Sequence, residues 1–213
     1  MTYHCLIEFK IMLFFNYSTI IDPLLRDVRL YLIEFSGMKA GDRVLDVCCG
    51  TGDQVFHYAQ SGIMATGIDL DLNMLKLARK DKRNRGLKGV SFQRADAQKL
   101  PFKDNVFDGV SISLALHEKE REARDNIISE MKRVVKRGGA LLFLDFQVPL
   151  PRKPLSYLVR AIEFFAGRNH HRCFRDYLAQ GGLEVLLARN RLTGAKRDYL
   201  NDGLITITKS VNS

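Results

Sequence analysis

Four cysteines in 213 residues, with no Cys-x-x-Cys among them, give neither a disulfide framework nor a zinc module. Long apolar runs are missing too. Leu6 to Phe15 is rich in apolar residues, but Glu8 and Lys10 interrupt it and it is too short to span a bilayer. It also lacks the basic start and small-residue cleavage site of a signal peptide. No internal repeat or low-complexity segment is present. These absences argue against a disulfide-stapled secreted scaffold, a membrane-spanning chain and a repeat array, and leave a cytoplasmic protein as the plain expectation. With 46% hydrophobic and 27% charged residues, the composition is that of an ordinary globular chain, long enough for one domain with a sizeable core.

Acidic residues are scarce in one region. From Arg152 to Arg197, ten Lys/Arg stand against Glu163, Asp176 and Glu184, so most of the net charge of +9 lies there. Basic surface attracts anionic lipid, nucleic acid or an anionic substrate, and it can equally be a solvated face with no partner. Lys76 to Lys88 reads as the outer face of a helix and its exit.

What the chain does contain is concentrated in residues 44 to 54, Val-Leu-Asp-Val-Cys-Cys-Gly-Thr-Gly-Asp-Gln. Val44, Leu45 and Val47 read as a short buried strand, Gly50 and Gly52 as a tight turn, and Asp53 to Gly62 as a helix. A strand running through Gly-x-Gly into a helix brings bare backbone close to a ligand at a helix N-terminus. The dinucleotide fingerprint asks for a small third residue, and here that position is Val55. Asp46, at the strand end, suits a ligand carrying an ammonium group rather than a pyrophosphate. The pair points to S-adenosylmethionine (SAM) rather than NAD. Asp69, at the tip of the next apolar run and ~20 residues after the glycines, can accept from both ribose hydroxyls. Asp96-Ala97 follows the third strand and can read an adenine edge; Asp96 can instead cap a turn before Gln98.

The stretch Leu45-Asp46-Val47-Cys48-Cys49-Gly50-Thr51-Gly52-Asp53 resembles the first motif of class I SAM-dependent methyltransferases, in the group of the ubiquinone/menaquinone-biosynthesis C-methyltransferases. Gly67-Ile68-Asp69-Leu70, Ala95 to Phe102, Val106-Phe107-Asp108 and Glu130 to Gly139 agree in order and spacing. The resemblance covers about residues 40 to 146. It implies a Rossmann-like α/β fold: a seven-stranded, mostly parallel sheet with helices on both faces and a C-terminal antiparallel hairpin. By the motif match, Asp46, Cys48 and the Gly50-Thr51-Gly52 turn hold the methionine part, Asp69 holds the ribose, Leu70 packs on the adenine, and Asp96 and Ala97 read its edge. Leu114 falls just past a strand end beside the reacting methyl. Tyr17 would close over the cofactor, as a tyrosine in a similar place does in relatives. Because the family-like pattern begins only near Tyr17, Met12 is a candidate start of translation.

Periodicity fills in the rest. Ile20 to Gly37 has helical spacing, with Pro23 in its first turn and Gly37 at its stop. Strands at 43–48, 64–69, 89–94, 106–112 and 140–146 alternate with helices at 52–61, 71–83 and 121–136, the pattern of a parallel sheet covered on both faces. Pro149, Pro151 and Pro154 then break the chain. Leu155, Leu158, Val159, Ile162 and Phe165 describe an amphipathic helix, either packed on the sheet or forming a lid or membrane-facing surface. A helix or helix pair broken at Gly181-Gly182 follows, then a hairpin through Asn201-Asp202-Gly203. One domain is expected over 1–213: a helical cover (1–40), a SAM-binding core (41–146) and acceptor-side helices with the terminal hairpin (147–213).

Methyl transfer from a sulfonium is an in-line displacement that needs positioning rather than a catalytic triad, and no triad is evident. His117, just after the fourth strand, can accept a proton from an acceptor, cap the following helix or simply line the pocket. His170-His171-x-Cys173 invites a metal reading, but adjacent histidines on a helix do not readily point to one site, so no metal is expected. The expected activity is methyl transfer to a small-molecule or lipid-like acceptor, of quinone type by resemblance. The alternatives are a phospholipid head-group amine, with peripheral contact to an anionic membrane, and a non-catalytic SAM-binding protein. The Asp/Asn/Ser-Pro-Pro-aromatic motif of amino-methylating nucleic-acid enzymes is missing, which argues against nucleic acid.

Overall fold

A computed structural model describes residues 22–192 and 196–212. The elements in chain order are α1 (Asp22–Ser36), β1 (Arg43–Val47), α2 (Asp53–Gln60), β2 (Met64–Asp69), α3 (Leu72–Arg85), β3 (Val90–Arg94) and β4 (Phe107–Ser113). A 3₁₀ turn (Leu116–Glu118), α4 (Arg121–Val134), β5 (Val135–Phe146), α5 (Pro154–Phe165), α6 (Arg168–Ala179), α7 (Gly182–Arg189), β6 (Lys196–Leu200) and β7 (Ile205–Val211) follow. Tyr17 and Met12 lie outside the described residues.

The seven strands form one sheet in the order β3-β2-β1-β4-β5-β7-β6. β1 to β5 pair in parallel, whereas β7 runs antiparallel between β5 and β6. The order reverses between β1 and β4, and ligands of open α/β sheets bind beyond the strand carboxyl ends at such a reversal.

β1 explains its own position. Its residues alternate between two cores, Val44 facing one and Leu45 and Val47 the other, so a strand buried on both faces reads as a continuous apolar run. The first core packs Leu25, Val28, Leu32 and Phe35 of α1 and Val55 and Phe56 of α2 on Leu142, Leu144 and Ile207. The second packs Ile127, Ile128 and Met131 of α4 and Leu183, Leu186 and Leu187 of α7 on Val110, Ile112, Leu141 and Phe143. α3 is fixed at both ends: the Asp71 side chain accepts from the backbone N–H groups of Asn73 and Met74, and Gly86 closes it at φ +60°.

Most boundaries shift by a residue or two from the sequence expectation, and two shifts have a physical reason. α4 ends at Val134, two residues early, because Val135 pairs with Phe107 and opens β5. The terminal hairpin runs longer than its apolar residues suggest, with β7 reaching Val211.

Candidate active site

The loop after β1 takes a sharp path. Cys48 and Gly50 have φ of +56° and +53°, and Gly52 has φ +80°. A side chain at Gly52 would meet the Phe92 ring at 2.5 Å, so this residue is glycine for lack of space as well as for its backbone. At Gly50 an added Cβ meets nothing within 4 Å, since it points into open space. Backbone hydrogen bonds fix the loop: Cys49 N–H donates to Ile68 O (2.8 Å) and Gly52 N–H to Cys49 O (2.9 Å).

Asp69 ties this loop to the next one. Its Oδ2 accepts from Gly50 N–H at 2.8 Å and its Oδ1 from Asp71 N–H at 2.9 Å. A carboxylate has about four acceptor positions, so two backbone bonds leave capacity for a ligand. Asp96 Oδ1 accepts from Gln98 N–H (2.9 Å), which makes it a turn-former as well as a wall residue. Leu114 stands at φ +50° where β4 ends, its N–H bonded to Leu144 O at 2.7 Å. For a bulky residue that conformation is strained, and such strain gathers at functional sites.

These loops enclose a cavity of about 480 Å³ at the reversal in strand order. Cys48, Gly50, Thr51, Asp69, Leu70, Asp96, Ala97 and Leu114 line it, together with Arg29, Cys49, Ser113, Glu118 and Lys119. Burial pushes the Cys48 thiol up to about 12 and raises Cys49 as well, so both remain thiols rather than nucleophilic thiolates.

Asp46, Gly52 and His117 are not in that wall. Asp46 is buried, 3% exposed, and accepts from Ser111 Oγ at 2.6 Å. Burial raises its carboxyl to about 7, only partly offset by Ser111 and the Arg29 charge. His117 is 4% exposed, with Nδ1 2.6 Å from Asp145 Oδ1 and Nε2 3.5 Å from Glu163 Oε1. Burial would lower its pKa, but the two carboxylates outweigh burial and hold it at about 10. A charged imidazole has no lone pair with which to accept a proton.

Sequence reasoning passed over several residues. Asp145 is fully buried and accepts from Leu116 N–H, His117 N–H, the His117 ring and Phe146 N–H. Its signal was a lone carboxylate at the end of an otherwise apolar strand. Arg29 reaches the cavity from α1 and pairs with Asp53 in the first turn of α2. Burial works against that carboxylate, yet hydrogen bonding from His57 and the Arg29 charge hold Asp53 at about 2. Glu118 and Lys119 pair at 2.9 Å on the wall.

Residues 44–139 match a methyltransferase domain family. Over 124 residues the chain is 42% identical to the ubiquinone/menaquinone biosynthesis C-methyltransferase UbiE of Pseudomonas paraeruginosa, a match covering 56% of this chain and 47% of that protein. The chain thus spans about half the length of the curated relatives it matches. A crystal structure of a putative S-adenosyl-L-methionine-dependent methyltransferase from Methanococcus maripaludis superposes with a TM-score of 0.68 at 17% identity, covering 93% of this chain and 90% of that one. The Haemonchus contortus phosphoethanolamine N-methyltransferase 2, in complex with S-adenosyl-L-methionine, has a TM-score of 0.57 at 20% identity, covering 87% of this chain and 52% of that one. The fold and residues 44–139 are similar to those of SAM-dependent methyltransferase domains. Within that class, the chain is similar to the UbiE C-methyltransferases.

Proposed function

We propose that this chain is a SAM-dependent methyltransferase acting on a small, quinone-type or otherwise lipid-like acceptor. The observation that carries the reading is the cavity itself. It gathers the loops that end β1, β2, β3 and β4 at the strand-order reversal, with open space over Gly50. A nucleoside joined to an amino acid fits a cavity of this size class.

SAM, when bound, supplies a methyl group activated on a positively charged sulfur. The residues then have to bind, orient and keep out water. Gly50 and Thr51 offer backbone to the methionine part, and Asp46 sits behind them with its carboxyl turned to Ser111. Asp69 holds the ribose with the acceptor capacity that Gly50 and Asp71 leave free. Leu70 packs on the adenine, while Asp96 and Ala97 read its edge. Leu114 shapes the methyl end of the cavity. His117 has a positional role: with Asp145 it pins the turn that carries Glu118 and Lys119 into the wall.

The acceptor class rests on the likeness to UbiE and on α5. Tyr157, Leu158 and Phe164 of that helix are more than half exposed, and Lys153 and Arg160 are exposed beside them. An apolar helix face flanked by cations suits an anionic membrane that holds a lipid-like acceptor. No described helix is long and apolar enough to cross a membrane.

The test is calorimetric titration with SAM, followed by transfer of labelled methyl into extracted quinone and phospholipid pools. We expect binding and label in the quinone pool. Asp69→Asn should weaken SAM binding about 10- to 100-fold, the worth of a hydrogen bond to a charged group. Label in phospholipid would replace the acceptor, and failure to bind SAM would refute the enzyme.

A further inference from the structure

Behind the wall that Glu118 and Lys119 form, two histidines converge on one buried carboxylate. Glu163 of α5 is 6% exposed. Its Oε1 lies 3.5 Å from His117 Nε2, and its Oε2 lies 2.6 Å from Nε2 of His170, on α6. Each imidazole turns its other nitrogen to a second carboxylate: His117 Nδ1 to Asp145 at 2.6 Å, and His170 Nδ1 to Glu118 at 3.5 Å. Oε2 of Glu163 is buried and has no partner in hydrogen-bond geometry, although His170 Nε2 is so close. One ligand atom from each of His117, Glu163 and His170 can be chosen so that all lie within 4.8 Å of one another.

Histidines that bind metal use one ring nitrogen for the ion and commonly give the other N–H to a carboxylate, which fixes tautomer and ring orientation. Here His117 shows that arrangement with Asp145 at hydrogen-bond distance, and His170 Nδ1 has Glu118 within ion-pair range on the other side of the central carboxylate. Two imidazoles and one carboxylate are a ligand set for zinc or another first-row divalent ion with positions left for water, whereas calcium and magnesium favour all-oxygen shells.

We propose that His117, Glu163 and His170 bind a divalent transition-metal ion, with Asp145 and Glu118 orienting the two imidazoles. Each histidine binds the metal in its neutral form, so the ion takes the place of their ring protons. His170 is the entry point, since its side chain is 26% exposed against 5% for His117 and 8% for Glu163. The ion joins the 3₁₀ turn to the consecutive helices α5 and α6, which lie far along the chain from it. The objection that adjacent histidines cannot share a site still holds. His171 packs on Phe164, ring centroids 5.2 Å apart, and only His170 turns inward.

The full chain, stripped of metal by a chelator, should bind added Zn²⁺ at one site and gain thermal stability. Co²⁺ in its place should give the visible absorption of a low-symmetry nitrogen/oxygen site. His170→Gln should abolish both effects, Glu118→Gln should weaken binding about 10- to 100-fold, and His171→Gln should change neither. Glu163→Gln should abolish binding as well, but His170, being partly exposed, is the substitution least able to disturb the fold. Absence of the cobalt spectrum, or equal loss in the His170 and His171 variants, would overturn the proposal. None of these readouts depends on methyl transfer, so the metal site and the proposed activity stand or fall separately.

Discussion

At the scale of single residues, the site is set by where charge is buried. Asp46 has its carboxyl held near pH 7 by burial, well above the ordinary carboxylate range. The folded chain therefore keeps a proton that the unfolded chain has lost. This favours the folded state fully below about pH 4 and is lost as pH rises towards 7, at up to about 1.4 kcal/mol per pH unit. Asp46→Asn cannot ionise, so its melting temperature should fall less than that of the unsubstituted chain between pH 4 and 7. Parallel melting curves across that range would mean that Asp46 titrates in the fold as it does in the open chain. Gly50, Asp69, Asp96 and Leu114 of the cavity wall were legible in the sequence because each lies where a strand gives way to a turn, whereas Arg29, Glu118 and Lys119 were not. Asp46 was legible as a carboxylate, but its side chain was not, since only the sheet decides that it meets Ser111 of β4.

Among elements, one buried cation joins α4, the 3₁₀ turn and α6. Arg124 of α4 is 1% exposed. It donates to Leu116 O (3.0 Å) in the 3₁₀ turn and to Cys173 O (2.7 Å) and Asp176 Oδ2 (2.8 Å) on α6. Its guanidinium also lies over the Tyr177 ring, 5.4 Å from the centroid. Truncation to alanine removes a charged donor from two carbonyls and from Asp176, and hydrogen bonds to charged groups are worth about 1.5–3 kcal/mol each. Arg124→Ala should therefore destabilise the fold by about 2–5 kcal/mol in urea unfolding. Hydrogen exchange should quicken in α6 and the 3₁₀ turn while β1 and β2 stay protected. The periodicity of α4 gave no hint of this role. Arginine on an amphipathic helix reads as solvent-facing, and its partners lie 49 and 52 residues away in sequence. The same distance hid the grouping of His117, Glu163 and His170. The helices themselves were read closely, yet the contacts between them depend on packing that no local pattern records.

For the molecule as a whole, alternating strands and helices announced a parallel sheet, and the two cores on its faces follow from continuous apolar runs whose neighbouring residues face opposite sides. The terminal hairpin was also foreseen. What its residues do not reveal is which of the two strands lies inside. β7 runs beside β5 from Ala140–Val211 to Phe146–Ile205, and β6 takes the edge. Ending the chain after Asp202 should leave that flank of β5 unpaired, remove Ile205 and Ile207 from the core and yield an aggregating product, measurable as lost solubility and lost strand signal in far-UV circular dichroism. On the ribosome this insertion becomes a matter of timing. The half that lines the cavity is complete by the time β5 has been made, but the sheet cannot close until β7 has emerged. Through that interval the nascent chain carries a sticky seam that a chaperone, or the lack of one, will decide.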